Sequence, residues 1–395
     1  METVFHTLAY ALRRRGHHVD EVHHEEALTH EYGEGGDVWG LPLRMIRTRY
    51  KLPILRSVLE SLRSLLWVAR CLRRSRPDVV DVHYVNAYAL YFILLRPLFK
   101  YRLVLSAHGS DLLLPSKLDR ALLPHMLRRA DAVTVVSEDL QHRALSLAPS
   151  VSPKLTLVPN GIDLEYWTDS DHGSRQDAAA RSAPPVIVSV GRLEHVKGHD
   201  VLLRSFAEVS DRVPGARLVL VGDGSREGGL RELARSLGVA DLTTFTGTLS
   251  ADEIRTVFRG SAVFVLPSRS EGMGLALMEA MAAGLPAVAS AVGGVPEVAG
   301  RNAVWLVPPE DPATLAGALV TLLSSGERRD ELADRGRCRV EAFSRDRMIL
   351  GYERIFSDER VGSNGADLAP LMTVGKPQAC RANPPASEHD LNTCL

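Results

Sequence analysis

The chain has 395 residues with 47 basic and 48 acidic side chains, a formal net charge of −1 that excludes a protein held to nucleic acid by bulk positive charge. An apolar fraction of 45% beside 24% charged residues is the composition of a globular protein, and the length allows two domains of ordinary size. Four scattered cysteines, Cys71, Cys338, Cys380 and Cys394, follow no zinc or paired spacing and read as reduced thiols of a cytosolic protein.

Met1-Glu2 lacks the basic-then-apolar order of a signal peptide. The most apolar window, Ala87 to Phe99, is too short to span a bilayer and is broken by Arg96-Pro97. In chain order, Val4, Leu8 and Leu12 give a helical apolar face that stops at Gly16, before a short strand around Val19 to Val22. His17, His18, His23, His24 and His30 suggest a metal, but HEEALTH has Leu28 where a zinc-binding HExxH helix needs its second histidine, so no metal site is expected.

Arg44 to Arg76 carries ten basic residues against the single acid Glu60, with Leu55, Leu59, Leu62, Leu66 and Ala69 on one helical face. Two readings stand side by side: an ordinary helix packed on a sheet with a solvated basic side, or a surface that leans on anionic lipid. Val79 to Val82, Arg102 to Ala107 and Ala132 to Val136 are apolar runs separated by helical sequence, the alternation of a parallel sheet covered by helices. The second run ends in SAHGSDLL, which places His108 at the carboxyl end of a strand, where open α/β sheets hold their ligands. Ser137, which closes VTVVS, reads as structural. LTLVPNGID, from Leu155, gives a last strand and turn of this half.

Thr168 to Pro185 is polar, small and bounded by proline, as a linker is, and the DxD spelled by Asp169-Ser170-Asp171 within it reads as chance. Val186 to Val190 is a buried strand, followed by a loop with Arg192 and Lys197 and a helix from Leu202. Arg217 to Val221 leads into GDGSREGG, which fails as a dinucleotide fingerprint because Glu227 occupies the third glycine position. A Rossmann oxidoreductase would need a glycine fingerprint followed by an acidic residue about 20 positions on, and the sequence offers neither cleanly.

The stretch from Pro267 to Pro286, PSRSEGMGLALMEAMAAGLP, organises the rest. Ser261 to Leu266 is a short apolar strand, Gly272 and Gly274 mark a turn, and Leu275 to Ala283 is a run of helix formers stopped by Gly284-Leu285-Pro286. A strand, glycine turn and helix present bare backbone N–H groups and the positive end of a helix dipole, which bind phosphate without a metal. Glu279 lies roughly 7 to 8 Å along the helix axis from Gly274, about the reach from a diphosphate to the diol of its ribose. Glu271 sits in the turn, beside whatever the diphosphate carries.

The string EGMGLALMEAMAAGLP strongly resembles the signature of the family-4 retaining glycosyltransferases (glycosyl transferases group 1), which have the two-domain GT-B fold. LAYALRRRGHHV, HGSD, LVPNGID, VGRLEHVKG and SAVGGVPEVAG are similar to further segments of that family, so the resemblance covers roughly Glu2 to Phe356. It implies an α/β chain with two facing Rossmann-like domains, each on a parallel sheet, joined by a linker and a C-terminal crossover helix. The acceptor-side domain is expected over residues 1–166 and the linker over 167–185. The nucleotide-sugar domain follows over 186–343, the crossover helix over 344–357 and a disordered tail over 358–395.

The resemblance further implies transfer of a sugar from a nucleoside diphosphate to a hydroxyl acceptor (glycan, lipid-linked or small molecule), with retention of configuration and no metal or other cofactor. Arg192, Lys197 and the amides after Glu271 would stabilise the departing diphosphate. Glu271 and His108 would position the sugar, Glu279 would hold the ribose, and Gly247, Gly272, Met273 and Gly274 would complete the donor pocket. A cytoplasmic enzyme is expected, peripheral at the inner face of a membrane if Arg44 to Arg76 makes that contact. In the family a strand and a glycine-rich loop precede the first helix, and the sequence as given starts after them. A binding protein impaired in catalysis is therefore the alternative expectation, alongside a start codon set too far downstream.

Overall fold

The computed structural model describes residues 2–24, 38–41, 53–168 and 184–357, and side chains within 7–21, 60–168 and 184–357. The expected disordered tail, nearly all of the linker, His30, Cys380 and Cys394, and Arg44 to Lys51 of the basic stretch lie outside the described residues.

The short apolar runs become parallel strands. The second half forms a six-stranded sheet in the order β12-β11-β10-β7-β8-β9, from β7 (Val186–Val190), β8 (Arg217–Val221), β9 (Thr243–Gly247), β10 (Val263–Leu266), β11 (Ala287–Ser290) and β12 (Trp305–Val307). The first half forms a four-stranded sheet in sequence order from β3 (Val79–His83), β4 (Arg102–Ala107), β5 (Ala132–Val135) and β6 (Leu155–Leu157). β1 (Glu21–His24) and β2 (Val38–Leu41) pair with each other and stand apart as a two-stranded sheet. β10 is buried along its whole length, whereas β3, at the margin of its sheet, is only half-buried throughout.

Two boundaries shift for identifiable reasons. The first strand begins at Glu21 rather than at Val19, because the Arg13 guanidinium takes the Val19 carbonyl at 2.6 Å and pairs with the Glu21 carboxylate at 2.8 Å. In the helix Pro53–Ser75 the inward face is Ser64, Val68 and Leu72, while Leu62 and Leu66 are 50% and 52% exposed. Of the stripe expected to form the apolar face, Leu62 and Leu66 thus point outward beside Arg63, Arg70 and Arg73, while Ala69 packs against the core and the side chains of Leu55 and Leu59 lie outside the described residues. That corrects, for Leu62 and Leu66, the reading in which the stripe packs on a sheet.

The last helix, Arg345–Phe356, belongs to the second half of the sequence and packs on the first. Met348, Ile349, Tyr352 and Ile355 share a core with Val104, Ala132 and Val158, and with Leu8 and Leu12 of the helix Glu2–Arg14. Its start is pinned where the Ile162 N–H donates to the Phe343 carbonyl and the Arg345 N–H to the Ile162 carbonyl, at 3.0 and 2.8 Å.

Gly198 shows how closely the loops of the second half are packed. Its φ is +67° and a Cβ there would stand 1.9 Å from the Pro267 carbonyl oxygen. Gly198→Ala should therefore lower stability by about 2 kcal/mol or more. Gly228→Ala, in the exposed first turn of the helix Glu227–Ser236 with open space around it, should leave stability unchanged or raise it slightly. Thermal denaturation of the two variants checks the contrast.

Candidate active site

All strands of the larger sheet are parallel, so the loops after β7, β8, β9 and β10 gather at one edge. The turn after β10 holds Glu271 at 8% exposure. Its Oε1 accepts from the Lys197 ammonium at 2.5 Å and from the Ser268 hydroxyl at 2.8 Å. Two candidate residues 74 positions apart are thus a direct ion pair. A cation and a hydroxyl together offset the cost of burying a carboxylate.

Arg269, a residue that sequence reasoning missed, sets this pair. Its guanidinium binds both Asp200 carboxylate oxygens at 2.7 and 2.8 Å and the His195 carbonyl at 2.7 Å, and its N–H donates to the Val196 carbonyl at 2.8 Å. Glu310 is a second ion-pair partner. The loop that carries Lys197 is thereby clamped to the turn that carries Glu271. The Arg269 hydrogen bonds hold the Asp200 carboxyl below its usual pKa.

Arg192 is exposed, on a loop braced by Glu194, whose carboxylate accepts from the Ser225 N–H and hydroxyl at 2.8 and 2.7 Å. Gly222 and Gly224 have a packing role there, since a Cβ on either would strike the Gly191 or Leu193 carbonyl at 2.1 or 2.5 Å. Gly247 ends β9, and its carbonyl accepts from the Gly222 N–H at 2.9 Å. Gly274, with φ +86°, caps the helix Leu275–Ala282 without a side-chain hydrogen bond, and the leading amides of a helix, which have no intrahelical partners, suit an anion. Glu279 has no hydrogen-bond partner for its carboxylate among the described residues. Burial pushes its pKa up to about 7.

The first half closes over this turn by backbone contact. A Cβ on Gly272 would lie 1.9 Å from the His108 carbonyl oxygen, so only glycine allows the approach. Met273 is buried, and its sulfur accepts from the Asn160 N–H at 3.2 Å, so its side chain lies in the seam and leaves only its backbone for a donor. Asp111, also missed from sequence, accepts from the N–H groups of Val85 and Gly109 at 3.0 and 2.8 Å and shapes the loop after His108. Ser137 is fully buried and caps the helix Glu138–Leu147, whose first N–H donates to the Glu297 carboxylate at 2.8 and 2.9 Å. The His108 ring stacks on His83 with centroids 5.0 Å apart. Burial, and then the neighbouring His83, hold its pKa well below the usual histidine value.

Residues 1–166 match the family described as Glycosyltransferase Family 4, and residues 172–339 match the one described as Glycosyl transferases group 1. The chain belongs to the family-4 glycosyltransferases. The chain is 33% identical over 227 residues to the D-inositol 3-phosphate glycosyltransferase of Segniliparus rotundus, across 56% of this chain and 50% of that one. It is 34% identical over 226 residues to the GDP-mannose-dependent alpha-(1-6)-phosphatidylinositol monomannoside mannosyltransferase of Mycobacterium tuberculosis, across 52% of this chain and 56% of that one. The chain spans about half the length of the curated relatives it matches. Among solved structures it superimposes on sucrose-phosphate synthase from Thermosynechococcus elongatus with a TM-score of 0.75 at 22% identity, over 89% and 91% of the two chains. HepE of Anabaena in complex with UDP gives 0.71 at 18% identity, over 90% and 95%. The fold of the chain is GT-B.

Among the described residues no helix is long and apolar enough to cross a membrane, and no three His, Cys, Asp or Glu side chains cluster as metal ligands do.

The raised pKa of Glu279 makes a stability prediction of definite sign. The folded chain holds this proton to about pH 7, whereas the unfolded chain releases it near its ordinary value of 4.5, so stability is lost as pH rises between the two. A glutamine never ionises. Glu279→Gln should therefore melt above the wild type at pH 8 and level with it at pH 4, as read by thermal denaturation across that range.

Proposed function

We propose that the chain moves a glycosyl group from a nucleoside diphosphate sugar to a hydroxyl acceptor, with retention of configuration and without a metal. The observation that carries this reading is the Lys197–Glu271 pair beside the amide-bearing turn at Gly272 to Gly274, closed from the opposite half by His108. Cations and backbone amides suit a diphosphate whose charge grows as the bond to the sugar breaks. Lys197, Arg192 and the helix N-terminus take that charge. Glu271 and His108 flank the sugar, the unpartnered carboxylate of Glu279 accepts the ribose diol, and Gly247 lies toward the base.

The relatives and structural neighbours support a nucleotide donor: one name specifies GDP-mannose, and HepE is in complex with UDP. The phosphatidylinositol in one relative's name suits a lipid-linked acceptor. Exposed Leu62 and Leu66 beside Arg63, Arg70 and Arg73 support a membrane contact by the described part of Arg44 to Arg76. Such a protein works in the cytoplasm, at the inner face of the membrane.

A second reading, binding without turnover, is favoured by one observation. Among the described residues the two-stranded β1–β2 sheet is not joined to β3, so the acceptor half is divided. Incubation with UDP-, GDP- and ADP-sugars and candidate acceptors separates the two readings. Glycosylated product with an α-anomeric NMR coupling from an α-linked donor supports retaining transfer. Inverted product sinks the retaining mechanism, and nucleotide binding without product leaves the second reading.

Lys197→Met should weaken nucleoside diphosphate binding by about ten- to a hundredfold, the worth of one charge-assisted contact, as measured by calorimetry. Unchanged affinity would remove Lys197 from the diphosphate site.

A further inference from the structure

The His108 ring belongs to a chain of polar groups that starts at the margin of the first sheet. Asp81 and His83 share one face of β3. The Asp81 Oδ1 accepts from the Ser106 hydroxyl at 2.7 Å, and its Oδ2 lies 3.1 Å from the His83 Nε2, off the ideal hydrogen-bonding axis. On the far side of that ring, the His83 Nδ1 is 2.8 Å from the His108 Nε2. Tyr84 lies beside the His108 ring with centroids 4.7 Å apart, and Tyr352 of the last helix is 5.9 Å from His83. Beyond His108 is Asn160, whose own N–H donates to the sulfur of Met273 in the donor turn. The His108 Nδ1 and the Asn160 Oδ1 are both buried without a hydrogen-bond partner.

Asp81 Oδ2 makes no hydrogen bond of its own, but its negative charge favours an N–H over a lone pair on the His83 nitrogen that faces it, and that preference selects one arrangement of protons when both rings are neutral. A carboxylate only accepts, so His83 turns its N–H toward Asp81 from Nε2 and is left with a bare Nδ1. A bare Nδ1 accepts, so His108 supplies a proton from Nε2. Its own Nδ1 then carries a lone pair, facing the side of Asn160. An amide can answer that lone pair with its N–H once the side chain is turned by half a rotation.

We propose that Asp81 and His83 are positioning residues that fix His108 as the Nε2-protonated tautomer and hold its ring against the donor turn. The inference rests on the reading that places His108 in the sugar site. It deepens that reading, because it names what orients the histidine. In the contacts described, Asp81 and His83 reach the donor turn through His108, whose carbonyl meets Gly272. The neutral state of His108 that the arrangement needs agrees with its burial and its lowered pKa.

The test is histidine-selective nitrogen NMR on the full chain at pH 7.5, with the His108 resonances identified from their loss in His108→Gln. The wild type should show His108 protonated at Nε2 and bare at Nδ1, and His83 likewise. In His83→Phe the acceptor is gone, and in Asp81→Leu the anchor is gone, so in both the Nδ1-protonated form of His108 should appear. With a donor and acceptor that turn over, both variants should lose at least about tenfold in kcat, as a histidine in the wrong tautomer does, with a smaller change in KM. His108 protonated at Nδ1 in the wild type overturns the proposal, as does a doubly protonated His83 or a His108 tautomer indifferent to both substitutions. The wild-type spectrum decides even if a variant fails to fold. If the tautomers behave as stated but no donor is turned over, the relay stands and the glycosyl-transfer reading falls.

Discussion

The structure depends on main chain touching main chain around one turn. The segment from Glu271 to Gly274 is enclosed by the His108 carbonyl from the first half and by Gly293, where a Cβ would meet the Glu271 carbonyl at 1.8 Å. A second contact of the same kind, Gly198 on the Pro267 carbonyl, holds the Lys197 loop at the start of this segment. Interiors are packed as densely as organic crystals, so such contacts leave no slack. They turn a short peptide with few side-chain contacts of its own into a rigid platform, and a preorganised platform is what stabilisation of a leaving anion requires.

Charge is arranged on that platform by neighbours more than by the reactive groups themselves. The Arg269 guanidinium fixes the relation between Lys197 and Glu271 while touching neither side chain in the contacts described. Glu297 reaches from the second half to the first turn of the helix Glu138–Leu147, where a carboxylate is favoured by bare N–H groups despite the acidic Glu138 and Asp139 beside it. Those acidic neighbours and burial raise its pKa, burial being the larger cause.

The strand, turn and helix from Ser261 to Gly284 were legible in the sequence because three independent signals coincide there: an apolar run, two glycines and a block of helix formers with a stop. The alternation of strands and helices announced parallel sheets for the same reason. β11 was not legible, since Ala287–Ser290 contains one β-branched residue and its strand character comes from burial between β10 and β12. Val38–Leu41 was missed because four residues carry no periodicity. Leu62 and Leu66 misled because leucine marks a helical stripe wherever that stripe faces. Arg269, Asp111, Asp81 and His83 escaped because each acts on a residue brought near by the fold. A charged residue beside a recognised motif is a weak signal until its partner is known.

The placement of the helix Arg345–Phe356 has a consequence for biosynthesis. The helix shares its core with Leu8 and Leu12 of the helix Glu2–Arg14, and with Val104 and Ala132 of the first sheet. A ribosome delivers those partners more than 200 residues before Met348 exists. While the second half is being made, the nascent first half waits with a leucine-lined surface uncovered, at the stage when transient apolar exposure invites aggregation. The two halves look separable on paper, yet the earlier one is finished only by the last helix that the structure describes.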